Sequence, residues 1–214
     1  MRKYKWIIFI LILVVVLLLI YYIDKKYPKN AISPQPSPSI SLTTSPSIVN
    51  SNTLDFPIAD FKSRITKKPF GVYITPQNSP VQPEKFSGYH TGLDVEYEDV
   101  TADVPVFAIS DGKIVYSNWV SGYGGVFILE VNLGGKLHNV LYGHIRPSSL
   151  PNTGQTFKKG EKIAVLGTGY SQETDGERRH LHFAILSDNR IDLKGYVQNK
   201  SDLSGWVDPQ TLYQ

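Results

Sequence analysis

Residues 111–144 read DGKIVYSNWVSGYGGVFILEVNLGGKLHNVLYGH, and this stretch decides the fold. Residues 113–118, 126–132 and 139–144 are short apolar runs rich in β-branched and aromatic side chains, the types that suit a pleated surface. Asp111-Gly112, Gly124-Gly125 and Gly134-Gly135 stand around them as turn signals. The same texture continues outward to residues 105–109, 162–166 and 180–186, and no amphipathic stretch is long enough for a major helix. The fold class that follows is mostly β, a compact antiparallel β-sheet or sandwich domain.

Strand periodicity gives the histidines their meaning. Residues i and i+2 of a strand project from one face, so His180 and His182 point together while Leu181 and Phe183 pack on the other side. In Val140-Leu141-Tyr142-Gly143-His144 the same parity predicts Val140, Tyr142 and His144 on one face, from which His144 reaches the groove. His90 and Asp94, four apart around Gly92, suit a loop running into a strand, with both side chains curled about one ion. Five groups can then converge. Two imidazoles and a carboxylate are the usual protein ligands of a hydrolytic zinc, whose fourth position is left to water, whereas structural zinc prefers four ligands that usually include thiolates. The chain has no cysteine, which also excludes a thiol protease, and no Gly-x-Ser-x-Gly turn for a serine hydrolase. His138, beside the Gly134-Gly135 turn, reads as a solvated side chain.

The first thirty of the 214 residues stand apart. Residues 6–23, WIIFILILVVVLLLIYYI, are apolar throughout, and as a helix they would span about 27 Å, close to the hydrocarbon thickness of a bilayer. Trp6, Tyr21 and Tyr22 mark the ends, and Arg2, Lys3, Lys5, Lys25 and Lys26 flank them. No small-residue cleavage site follows, so residues 1–30 read as an uncleaved transmembrane anchor with basic flanks. Its charges are balanced, with three Lys/Arg before the span and three soon after, and do not orient it. Six of the 22 Lys/Arg but one of the 19 Asp/Glu fall in residues 1–30, so the net charge of +3 belongs to the anchor. The remainder is near neutral, which argues against a nucleic-acid partner. Residues 31–55 form a Ser/Pro-rich linker, reaching about 75 Å if extended, and residues 56–214 hold a single domain of ordinary size.

That domain resembles the lysostaphin and LytM family of zinc metallopeptidases, which cleave peptide cross-bridges or stems of bacterial peptidoglycan. The likeness is carried by His90-Thr91-Gly92-Leu93-Asp94, Gly122-Tyr123-Gly124, Leu141-Tyr142-Gly143-His144 and His180-Leu181-His182-Phe183. It implies a zinc cofactor held by His90, Asp94 and His182, with His144 and His180 as non-ligand catalytic histidines, in a domain with an open groove. It further implies an extracytoplasmic domain acting on peptidoglycan peptides, which the apolar run 6–23 would fix to the cell membrane by a single pass. Family members that lost these residues regulate other wall enzymes, so the competing function is a non-catalytic wall-binding or amidase-activating module. The chain departs from the family pattern in the charged stretch 169–179, at Ala184, where Glu is frequent, and at Gly143, where Ala is frequent.

Overall fold

The computed structural model of the protein describes Leu18, Tyr22 and residues 54–213. The expected membrane span lies outside the described residues, apart from Leu18 and Tyr22, which are helical. Among the described residues no helix is long and apolar enough to cross a membrane. Twelve strands run through the described part: β1 (Tyr73–Ile74), β2 (Gly88–His90), β3 (Leu93–Glu96), β4 (Pro105–Phe107), β5 (Gly112–Val120), β6 (Gly124–Leu133), β7 (Lys136–Ile145), β8 (Thr156–Phe157), β9 (Lys162–Val165), β10 (His180–Leu186), β11 (Tyr196–Val197) and β12 (Trp206–Val207). Short 3-10 turns are the only helical structure within residues 54–213.

The long central hairpins form where the glycine pairs end each apolar run, and β5, β6 and β7 pair antiparallel in sequence order. They belong to a seven-stranded sheet ordered β12-β10-β7-β6-β5-β8, with β3 on the same edge of β10 as β12. A three-stranded sheet, β1-β2-β11, and the β4-β9 pair complete the fold, and every pairing is antiparallel.

Both faces of the large sheet are covered, which is why its strands run apolar nearly throughout. One face presents Leu181, Phe183, Ile185, Val140, Tyr142, Phe127 and Leu129 to a core completed by Val106, Ile163, Phe61 and Tyr213. The other presents Val126, Ile128, Leu141, Ala184 and Leu186 to Tyr123, Val197 and Trp206. Two residues expected in the linker already belong to the fold. Leu54 packs against the first core, and the Asp55 N–H donates to the Ile109 carbonyl at 2.8 Å.

One expectation from parity is corrected. Val140 and Tyr142 share a face, but it is the core face, where Tyr142 stacks on Phe127 at a ring separation of 4.6 Å. Strict alternation would bury His144 there too. Instead the register between β6 and β7 jumps, from Gly125↔Ile145 to Val126↔Gly143, so that His144 is the extra residue of a β-bulge. Its φ of 61° is left-handed, and the local twist returns its ring to the opposite face. The partner strand accommodates the bulge because residue 125 is glycine: a Cβ there would lie 2.1 Å from the Ile145 carbonyl oxygen.

Candidate metal centre

The five sequence-predicted residues meet at one place, and each is 1–4% exposed. On β10, His180 and His182 project from the face opposite Leu181 and Phe183, as alternation requires. Asp94 on β3 is the register partner of His182, and Glu96 that of His180, so these four side chains form two cross-strand pairs on one face. His90 arrives from the end of β2 in the small sheet, where Thr91-Gly92 turn the chain into β3. His144 comes from the bulge, with its ring 4.1 Å from that of His180.

Three donor atoms form a near-equilateral triangle. His90 Nε2 lies 3.1 Å from His182 Nδ1 and 3.3 Å from Asp94 Oδ1, and His182 Nδ1 lies 3.2 Å from the same oxygen. Tetrahedral zinc with bonds of 2.0–2.1 Å has ligand-to-ligand edges of about 3.3 Å. The chemistry of the donors fits as well as their spacing. His90 Nδ1 lies 3.3 Å from the Pro69 carbonyl oxygen, which can only accept, so Nε2 carries the lone pair and turns it towards a carboxylate oxygen. Acceptor facing acceptor, away from water, is an arrangement that a cation satisfies. Among the described residues, His90, Asp94 and His182 are the group able to hold a metal ion.

The electrostatics keep the donors in their ligating forms. Burial pushes His144 down to about 3 and drives His180 and His182 below the ordinary imidazole value. All three rings are therefore neutral at physiological pH. Burial works to raise the Asp94 pKa, but the Arg178 guanidinium, 2.7 Å from Oδ2, offsets it, and the carboxyl is held well below its usual range. His144 and His180 are not part of the triangle. His180 Nδ1 donates to the Arg178 carbonyl at 2.9 Å, which leaves its Nε2 free to accept, and His144 Nδ1 is buried without a partner. Both rings line a cavity of about 310 Å³ together with Asp94, His182 and Tyr123.

Several residues of this site were given no role by the sequence alone. Arg178, in the charged stretch 169–179, is 1% exposed and pairs with both Asp94 and Glu96 at 2.7 Å. Tyr123 packs against His144 and His182 with ring separations of 5.5 and 5.4 Å. A Cβ on residue 143 would lie 2.6 Å from the Tyr123 ring, which accounts for glycine there. Tyr196 on β11 lies against His90, and its hydroxyl accepts from Lys68 Nζ at 3.1 Å. The Lys68 ammonium is itself buried in an ion pair with Glu84. Of these, Glu96 was the most legible, since it stands at i+2 from Asp94 on a strand. His138, expected to be solvated, is partly buried and donates from Nδ1 to the Leu186 carbonyl at 2.7 Å, away from this cavity.

A family model described as peptidase family M23 matches residues 88–193, a span that contains all five residues. The murein hydrolase activator EnvC of Escherichia coli is 36% identical over 80 residues, 37% of this chain and 17% of that protein. An uncharacterized metalloprotease of Haemophilus influenzae is 34% identical over 97 residues, 45% of this chain and 18% of that protein. The chain spans at most 35% of the length of the curated relatives it matches. Among solved structures, that of LytU is similar at 24% identity and a TM-score of 0.43, covering 69% of this chain and 82% of the other.

Proposed function

From its membership of the LytM-type peptidase family M23, we propose that this protein is a membrane-anchored, zinc-dependent endopeptidase that hydrolyses peptide bonds in the cross-bridges or stem peptides of peptidoglycan. The observation that carries the reading is the donor triangle of His90, Asp94 and His182, with edges of 3.1–3.3 Å, beside two further histidines that bind nothing in it. Zinc bound by these three residues supplies a Lewis acid and acidifies water enough for attack near neutral pH. The chain's own part is to move protons and exclude solvent. His180, its Nδ1 proton committed to the Arg178 carbonyl, accepts a proton at Nε2. His144, 4.1 Å away between ring centres, is the second histidine beside the site, and the proton taken from water by this pair of rings is the one returned to the leaving amine. Burial lowers both rings' affinity for protons, so each is neutral and keeps a free lone pair near neutral pH.

The second reading, a non-catalytic activator of other wall enzymes, is favoured by the 36% identity to a protein named as a murein hydrolase activator. The retained donor set weighs against it, because an activator has no use for three convergent lone pairs and two neutral histidines. Metal analysis of the purified full-length protein, with chelator-sensitive release of peptides from isolated peptidoglycan, decides between them. One zinc per chain with cleavage supports the enzyme; a metal-free, inactive protein that stimulates a wall hydrolase establishes the activator.

A further inference from the structure

The charged stretch 169–179 has a defined place. Asp175 Oδ2 accepts hydrogen bonds from the Gly122 N–H at 2.7 Å and from Ser121 Oγ at 3.1 Å, and Trp119 Nε1 donates to the Gln172 carbonyl at 3.0 Å. These bonds tie the stretch to the β5–β6 turn beside Tyr123. Its end delivers Arg178 into the protein as one of the largest fully buried side chains. Arg178 Nε donates to Glu96 Oε2 at 2.9 Å, and Nη2 donates both to Glu96 Oε1 and to Asp94 Oδ2 at 2.7 Å. The same residue's carbonyl accepts from His180 Nδ1.

The two oxygens of Asp94 are thereby divided between two tasks. Oδ1 completes the donor triangle with His90 and His182, while Oδ2 is occupied by the guanidinium. A carboxylate left free can bind a metal through both oxygens and so fill a position that water needs. We infer that the Arg178 side chain is a positioning group, which holds Asp94 to one-oxygen coordination and so keeps the fourth metal position open. Glu96 makes this possible by balancing the buried positive charge, so that Asp94 is not drawn off the ion to do so. The role rests on the zinc-peptidase reading above, but it can be tested without hydrolysis.

The experiment loads the full-length chain, in detergent, with Co²⁺ in place of zinc and records its visible d–d absorption, which is strong in four-coordinate sites and weakens as the coordination number rises. Arg178→Met removes the guanidinium. Arg178→Lys keeps the buried charge, and with it the fold, but a single ammonium cannot fork across Asp94 and Glu96. Both variants are expected to bind Co²⁺ with weaker bands than the wild type. With zinc, kcat should fall about 10- to 100-fold while KM changes little, the scale on which residues supporting metal ligands act. Wild-type band intensity and kcat in both variants, even with lowered thermal stability, would overturn the proposal and leave Arg178 a structural staple. A wild-type protein that takes up no Co²⁺ would instead overturn the metal reading itself.

Discussion

At the residue scale, the proposed assignment separates side chains that hold an ion from side chains that act beside it, and the separation can be measured. Asp94→Ala or His182→Ala leaves two of the three donors, too few to hold zinc after dialysis, whereas His144→Ala or His180→Ala leaves the triangle whole and should cost activity alone. Zinc content by atomic spectroscopy checks both halves, and a stoichiometric ion in the Asp94 variant would show that the triangle is not the site. The buried Lys68–Glu84 pair, whose side chains are 4% and 3% exposed, behaves differently. Burial works to raise the Glu84 pKa, but the Lys68, Phe86 N–H and Ser79 hydrogen bonds outweigh it and lower the carboxyl below its ordinary value of 4.5. A carboxyl lowered on folding stabilises the protein fully above its unfolded-state pKa, and the contribution is lost as pH falls through the lower folded value. Wild-type stability should therefore drop more steeply between about pH 5 and 3 than that of Glu84→Gln. At neutral pH that variant should itself be about 3–5 kcal/mol less stable, with Lys68 left buried and unpaired. Urea unfolding at each pH measures both, and parallel acid limbs would remove Glu84 from the account. The convergence of the motifs was partly legible in the sequence, since strand parity gave the direction of His180 and His182 and the spacing around Gly92 that of His90 and Asp94, whereas the division into donors and non-ligands came from the family resemblance. Arg178 was not, since its partners lie 82 and 84 residues away and a charge run ordinarily means a solvated loop.

At the scale of elements, the strands form where apolar runs end in paired glycines, and the six sequence-predicted strands all occur, β10 with the same bounds. What alternation could not reveal is the bulge, because a one-residue register jump reverses every later side chain without changing composition. The direction of His144 is therefore a property of β6 as much as of β7, and Gly125 is where the two meet. Gly125→Ala would drive a methyl group into the Ile145 carbonyl. It should cost about 1–3 kcal/mol as an overpacked strand pair. Activity should fall with it while zinc is retained, because His144 turns with the bulge but is no ligand. Denaturation midpoints and metal content together test this. A variant as stable and as active as the wild type would show that the bulge is held by something other than the small residue opposite it.

At the scale of the whole molecule, the proposed topology joins three unlike pieces of sequence. The apolar run 6–23 suits a bilayer span, the uncharged Ser/Pro-rich residues after Ala31 suit a solvated spacer, and the substrate proposed for the domain is a polymer found outside the cytoplasmic membrane. The structure narrows where the spacer can be cut. Leu54 packs into the core, the Asp55 N–H is bonded to Ile109, and the Asp55 carbonyl accepts from the Tyr213 hydroxyl at 3.0 Å, so the chain from Leu54 onward is part of the fold. A protease needs an extended segment free of such bonds, and loop-like, small-residue stretches are where it finds one. Protease added to intact spheroplasts should therefore release a soluble, zinc-containing fragment whose first residue lies between Ala31 and Leu54, leaving the apolar run with the membrane. N-terminal sequencing of the fragment and metal analysis of the supernatant read the result. A domain that stays protected until the membrane is broken would place residues 31–214 on the cytoplasmic side, where the proposed substrate does not exist, and the wall-hydrolase reading would fall with the orientation.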